Sequence, residues 1–248
     1  MRSETFGQRY GVDPTGLVLW LDQSDPRSGG AVANWYDMSG GGNHVAQAVG
    51  GDQPAITGAI GLAGSCRDFD GNDDLMTTAT TFALGIINAT LTAWVYLETN
   101  STSGAFIKVG SGDQQAEDLE GYALGVGLND MATDGNELLA LYEGIRWIDL
   151  SVSMGTGWHH AALVIGGASV PELFLDGDSI GSSAGAAPTA CTHQVSGIGG
   201  YVSKNAAGDP FDRYFDGAIG QVYIAGRALT AAEIQRMYLV DKPRYGGL

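Results

Sequence analysis

Alternation of apolar and polar positions with a period of two dominates this chain, and that period marks half-buried strands. Leu91-Thr92-Ala93-Trp94-Val95-Tyr96, Trp158-His159-His160-Ala161-Ala162-Leu163-Val164-Ile165 and Phe215-Asp216-Gly217-Ala218-Ile219-Gly220-Gln221-Val222-Tyr223-Ile224 are its strongest examples. Leu173-Phe174-Leu175 and Ser179-Ile180 flank Asp176-Gly177, a dipeptide that supplies the positive backbone angle a tight turn requires, so Leu173 to Ile180 is predicted to be one hairpin. Trp94, Val95, Leu163, Phe174, Phe215 and Val222 are expected inside a sandwich, together with Trp158, because large aromatics dominate such interiors.

Helical periodicity is confined to the end of the chain. Thr230-Ala231-Ala232-Glu233 fits a capping box, in which the Thr hydroxyl and the Glu carboxylate satisfy each other's backbone N–H groups, and Leu229 with Ile234 stands where a hydrophobic staple packs. Ile234, Met237 and Tyr238 then recur on one face before Pro243 stops the helix. Two or three turns are predicted, lying on the strands.

Composition supports a turn-rich β-protein. The chain has 39 Gly in 248 residues, about twice the average share, and only 16% of its residues are charged. Its length suits one large β-domain, and no Pro- or Ser-rich linker divides it. The net charge of −16 excludes nucleic acid as a partner, since a phosphate-binding surface needs clustered Lys and Arg. No apolar run is long enough to cross a membrane as a helix, and the first ten residues have no apolar stretch of the secretory kind, so the chain is expected to stay soluble after synthesis in the cytoplasm. Cys66 and Cys191 do not make a disulfide framework and are read as small buried residues or thiols, with their pairing left open.

Basic residues are unevenly placed: Arg2, Arg9, Lys242 and Arg244 lie in the first 12 and last eight residues. We therefore expect a domain over 13–240, with an N-terminal arm over 1–12 and a tail over 241–248 that have no core of their own to join. Both would pack on another subunit, or on the surface of a larger particle, through Phe6, Tyr10 and Tyr245 as apolar anchors and those four cations as charge contacts.

The ordered segments resemble the laminin-G-like or concanavalin-A-like lectin/glucanase superfamily. The resemblance is carried by Phe69-Asp70-Gly71, Leu91-Thr92-Ala93-Trp94-Val95, Leu173-Phe174-Leu175-Asp176-Gly177, Phe215-Asp216-Gly217-Ala218-Ile219 and Arg227-Ala228-Leu229-Thr230, in that order. Upstream, Asp37-Met38-Ser39-Gly40-Gly41-Gly42-Asn43-His44 is similar to a segment often found before such domains. The resemblance implies an all-β fold, a two-layer antiparallel β-sandwich of the jelly-roll kind with one short C-terminal helix. Several phage surface proteins resemble this family and need no export signal. It therefore also implies a non-enzymatic virion surface protein, a capsid decoration, head fibre or tail module, with other virion proteins and further copies of itself as partners. A free lectin module that binds surface polysaccharide is the alternative.

Candidate chemistry follows from the same resemblance. Related glucanases carry Glu-x-Asp-x-x-Glu on one strand, which this chain lacks; Glu117-Asp118-Leu119-Glu120 has another spacing, and no enzymatic activity is expected. His159 and His160, as strand neighbours, point to opposite faces and cannot chelate one ion, while His44 and His193 have no companion motif. A sugar site stacks an aromatic ring beside polar groups, which singles out Asn34, Trp35 and Asp37; Tyr142, Trp147 and Asp149; and Tyr201 with Asn205. Trp35 and Trp147 read equally well as packing residues. No cofactor is expected beyond the calcium many members hold, for which Asp70, Asn72, Asp73 and Asp74 offer hard oxygens. Gly220 stands where those members have an Asp, which removes one ligand.

Overall fold

The computed structural model describes residues 5–28, 33–58, 65–79, 88–99, 104–109, 121–127, 136–142, 146–166, 170–182, 196–200, 202–204, 210–212 and 214–246. In chain order the strands are β1 (Leu17–Asp22), β2 (Asn34–Trp35), β3 (Val45–Ala46), β4 (Ala55–Thr57), β5 (Cys66–Asp70) and β6 (Met76–Thr78). There follow β7 (Asn88–Leu97), β8 (Gly104–Val109), β9 (Tyr122–Val126), β10 (Glu137–Tyr142), β11 (Arg146–Ser153) and β12 (Gly157–Gly166). The last are β13 (Glu172–Leu175), β14 (Asp178–Gly181), β15 (Ser196–Ile198), β16 (Val202–Lys204), β17 (Pro210–Asp212) and β18 (Asp216–Ala225). Two α-helices, α1 (Phe6–Tyr10) and α2 (Ala231–Asp241), frame them, and a 3-10 turn over Lys242–Tyr245 ends the described chain.

Sheet A runs β14-β13-β12-β7-β18-β5-β4, with β1 sharing the edge of β18 with β5. Sheet B runs β11-β10-β9-β8-β15-β6-β3-β2, and β16 with β17 makes a separate ribbon. All these pairings are antiparallel, so the expected two-layer sandwich is the one observed. Leu91, Ala93, Val95 and Leu97 of β7, Leu163 and Ile165 of β12, and Ile219, Val222 and Ile224 of β18 fill the space between the layers with Phe106, Leu124 and Phe215. The hairpin of β13 and β14 turns through Asp176 and Gly177, at φ 52° and 87°, as the type I′ geometry demands.

Sheet A is apolar on its outer face as well. Phe6, Tyr10, Val12, Trp20, Ala162, Val164, Phe174, Tyr223, Leu229, Ile234 and Met237 form a second buried cluster there, between the sheet and both terminal helices. Phe6 lies flat on Tyr223, their centroids 4.7 Å apart, and meets Trp20 edge-on at 5.4 Å. Helix α2 begins at the capping box of Thr230 and Glu233, as its sequence requires, and Leu229 and Ile234 both bury in this cluster. Trp94, Phe174 and the partly exposed Trp158, all expected between the sheets, lie on this outer face instead, because β-alternation sends Trp94 and Phe174 opposite to Val95 and Leu173, and Trp158 pairs with Tyr96 on the same face as Trp94.

The terminal segments are thus not arms awaiting a partner. Arg9 bridges Asp22 at 2.9 Å and Asp241 at 2.6 Å, Arg244 reaches Asp22 at 2.8 Å, and the Tyr10 hydroxyl donates to Asp241 at 2.7 Å beside the Gln221 amide. Burial alone would raise the Asp22 carboxyl, but hydrogen bonding and charge from Arg244 and Arg9 hold it below its ordinary value. Burial wins at Asp241, which is raised. Tyr245 is buried against Trp94, and Lys242 places its ammonium 5.9 Å from the centre of the Tyr238 ring. Of the seven residues expected to contact another subunit, Phe6, Arg9, Tyr10, Arg244 and Tyr245 are engaged within the chain, because the outer face of sheet A needs an apolar cover and the termini supply it. Arg2 lies outside the described residues.

Truncation of Phe6 to Ala should therefore lower the unfolding free energy by about 3–5 kcal/mol, the range for a fully buried Phe. Equilibrium urea denaturation checks this, and deletion of residues 1–12 should cost more than the point substitution.

Candidate functional site

The outer face of sheet A is covered from the α2 end as far as Tyr245, and there the cover stops. Beyond it the pairing register lays one row across five strands, Ala55 of β4, Asp68 of β5, Ala218 of β18, Tyr96 of β7 and Trp158 of β12. Side chains paired across antiparallel strands share a face, so these five point the same way. One step further along, Asp70 is paired with Asp216. A cleft of about 480 Å³ opens here, lined by Gly51, Gln53, Ala55, Asp68, Phe69, Asp70, Asp74, Glu98 and Asp216.

Among the described residues, five carboxylates line this cleft and no basic side chain does. Like charges placed directly across a ladder destabilise it, so the Asp70 and Asp216 pair works against the fold. The carboxylate oxygens of Asp70, Asp73 and Asp74 lie within 4.8 Å of one another. Asp70 accepts the N–H of Asn72 at 2.9 Å, which holds its carboxyl below the usual range. Asp74 accepts the Asp70 N–H at 3.0 Å, yet burial and then the charges of Asp70, Asp73 and Asp68 push it up to about 6. Asp68 is raised by burial and by Asp216. Beside the carboxylates, Tyr96 and Trp158 remain partly exposed, their ring centroids 5.6 Å apart. The result is an aromatic shelf bordering an acidic depression.

Of the residues singled out by sequence, the group Asp70, Asn72, Asp73 and Asp74 lies at this cleft. Trp35 does not, being fully buried between the sheets under the Arg67 guanidinium, 5.8 Å from its ring. Its inward direction on β2 makes it a core residue and not a stacking platform. Asn34 lends its carbonyl to Arg67 at 2.6 Å. Asp37 is buried and accepts the N–H groups of Trp20, Ser39 and Asn43 at 2.8 to 3.0 Å, which makes the Asp37–His44 segment a loop staple. His44 closes it by accepting the Asp37 N–H at 2.9 Å. Asp149 is exposed and caps the N–H of Ser151. Tyr142 and Trp147 lie on the paired strands β10 and β11, with side chains outside the description; Tyr201, Asn205, Cys191, His193 and the Glu117–Glu120 group also lie outside the described residues. Cys66 is buried.

Asp68, Glu98, Asp216, Tyr96 and Trp158 were missed as a site. One signal could have found the carboxylates: the chain contains Phe-Asp-Gly twice, at 69–71 and 215–217, and these copies pair with each other across β5 and β18. Gly220, standing in place of the family's Asp, has a local reason as well. A Cβ there would come within 2.5 Å of the Tyr245 ring, so a residue with a side chain would displace the tail.

A model of the concanavalin A-like lectin/glucanases superfamily matches residues 69–235. No curated protein sequence matches the chain. Among solved structures, the binding domain of Paraclostridial mosquitocidal protein 1 superposes with a TM-score of 0.60 at 13% identity, over 94% of this chain and 56% of that one. Domain 4 of a GH43 extracellular arabinanase from Geobacillus stearothermophilus, solved in complex with arabinotriose, gives 0.52 at 14% identity, over 90% of this chain and 98% of that one. The binding domain of botulinum neurotoxin DC in complex with SialylT gives 0.55 at 11% identity, over 91% and 52%. The chain therefore spans about half the length of the toxin binding domains and nearly all of the arabinanase domain.

The cleft should report on pH through Asp74. Its carboxyl is raised in the folded state, so the stability it contributes is full below the unfolded value near 4 and is lost as pH rises through about 6. Asp74→Asn should flatten that part of the pH profile and raise the melting temperature at pH 7. Thermal unfolding followed by circular dichroism between pH 4 and 8 measures both.

Proposed function

Because the chain belongs to the concanavalin A-like lectin/glucanases superfamily, we propose that it is a non-catalytic carbohydrate-binding module whose ligand lies across the acidic cleft and the Tyr96–Trp158 shelf. The observation that carries this reading is the register row, which sets partly exposed aromatic faces beside convergent hydrogen-bond acceptors on the uncovered part of sheet A. The C–H face of a sugar ring packs on an aromatic ring, and its hydroxyls donate to carboxylates. Anionic sugars meet like charge in such a cleft, so the ligand class is neutral or amine-bearing glycans.

The donor set also fits a hard cation. Asp70, Asp73 and Asp74 present carboxylate oxygens within 4.8 Å, and neighbouring Asp68, Asp216 and Glu98 raise the negative field, without nitrogen or sulfur ligands that would favour a transition metal. Calcium is the proposed ion; when bound, it would relieve the Asp70–Asp216 repulsion and give sugar hydroxyls an oxygen-seeking charge.

The cleft orients and holds a ligand without cleaving it, so incubation with oligosaccharides should release no reducing ends. Trp158→Ala should weaken glycan binding at least tenfold with the fold intact, as measured by calorimetry against neutral and amine-bearing oligosaccharides; unchanged affinity would remove the shelf from the site. Calcium should raise the melting temperature of the protein, and the Asp70→Asn/Asp73→Asn double variant should lose that response.

We also propose display on a virion surface, a reading that rests on the resemblance of the ordered segments to phage surface proteins. Mass spectrometry of gradient-purified particles tests it, and absence of the protein from them would overturn it.

A further inference from the structure

The aromatic shelf does not end where it ceases to be visible. On the outer face, β7 contributes Trp94 and Tyr96, and β12 contributes His160 and Trp158, with Trp94 paired to His160 and Tyr96 to Trp158. Four rings thus form a two-by-two array on adjacent strands. Tyr96 and Trp158 are partly exposed beside the cleft, whereas Trp94 and His160 are buried beneath the C-terminal turn. Tyr245 covers Trp94: its ring lies flat on the indole, with centroids 4.4 Å apart and planes 14° from parallel, and also touches Trp158 at 4.6 Å, while the His160 ring faces Tyr238 of α2 at 6.2 Å. A flat ring on an indole is the arrangement a sugar ring would adopt on the same surface.

Polar atoms under this cover are poorly satisfied. The Trp94 Nε1, the His160 Nδ1 and the Tyr245 hydroxyl are all buried without a hydrogen-bond partner, and all three belong to this one ring cluster. Buried polar groups without partners are rare and costly, and three in one place call for a physical reason. His160 stays neutral there, its pKa lowered to about 4 by burial. With Tyr245 lifted away, the indole N–H becomes a donor on an aromatic floor, with His160 paired beside it on β12. Tyr238, stacked on Trp94 at 5.6 Å from α2, would remain as a side wall. The segment that would move is short, four residues tied down at Arg244 to Asp22.

We propose that the Lys242–Tyr245 turn is a displaceable strap over a second sugar subsite, built from Trp94 and His160 and continuous with the Tyr96–Trp158 shelf. This inference rests on the carbohydrate-binding reading and names how far that site extends. Short oligosaccharides fit the open half alone. Longer ones replace the Tyr245 ring on Trp94, and their hydroxyls satisfy the polar atoms that the closed strap leaves unpaired.

The test uses the full chain, with arabino-oligosaccharide and chitosan-oligosaccharide ladders of two to six units as probes. Tyr245→Ala should bind the six-unit members about tenfold more tightly than the wild type and the two-unit members equally. Tyr245→Phe keeps the ring but removes the unsatisfied hydroxyl, and should show no gain. In the wild type, the Trp94 indole N–H resonance, assigned by its loss in Trp94→Phe, should shift with the six-unit ligand and stay in place with the two-unit ligand. That readout holds even where Tyr245→Ala proves unstable. If the wild type binds a six-unit ligand while the Trp94 resonance is unmoved, or if a folded Tyr245→Ala shows no length-dependent gain, the strap proposal is overturned and the shelf stands. If no oligosaccharide binds either protein, the carbohydrate reading itself falls and this subsite falls with it.

Discussion

Everything in this molecule follows from a sheet that is apolar on both faces. One face of sheet A is covered by sheet B, as in any two-layer sandwich. The other carries Trp20, Trp94, Phe174 and Tyr223, and among the described residues the ends of the chain cover it. Helix α1 and helix α2 meet that need from opposite termini. They cover only part of the face, and the acidic cleft lies in the part they leave open.

Placing both termini on one sheet requires that they be held there, and the device is ionic. Asp22 is fully buried and receives Arg9 and Arg244, while Asp241 receives Arg9 and the Tyr10 hydroxyl. Each charge in this group has an opposite charge beside it, which is the condition under which burial of ions is tolerated. Loss of one member would strand another in a low-dielectric place, so the group couples the N-terminus, β1 and the C-terminal turn into one unit. Such a network adds specificity more than raw stability: it fixes which face the ends occupy, while Phe6, Ile234 and Met237 supply the apolar area.

The strands, the hairpin and the capped helix were legible in the sequence because each is encoded locally. Period-two alternation, Asp176-Gly177 and Thr230 with Glu233 act over fewer than a dozen residues, and the structure places all of them as read. What was not legible is which face each strand residue takes. Alternation separates Trp94 from Val95 but cannot say which of them meets the second sheet and which meets a helix formed over a hundred residues later. The role of the tails was hidden for the same reason, since Arg9 and Arg244 look like solvated charges until Asp22 is known to lie between them. Trp35 was open between two readings, and the guanidinium of Arg67, more than thirty residues away, decides it. Asp70, by contrast, was found at once, and its partner Asp216 was in view inside an identical tripeptide without any local cue that the two would pair.

The cleft is a place where the chain works against its own fold. Other buried acids have partners, Asp22 two arginines, Asp25 the Arg27 guanidinium at 2.5 Å and Asp37 the N–H groups of Trp20, Ser39 and Asn43. At the cleft five acids converge with no cation among the described lining residues, and burial, together with the charges of Asp70, Asp73 and Asp68, drives Asp74 up to about 6. A chain that supplies arginines to Asp22 and Asp25 and none from the described lining of this depression tolerates a repulsion that a single substitution could relieve. Strain and like-charge crowding persist in folded proteins where a ligand removes them, so the cost marks the depression as a place for something positive or hydrogen-bond donating. The neighbouring rings narrow that further, because a small cation alone has no use for a shelf of tyrosine and tryptophan, and a sugar does.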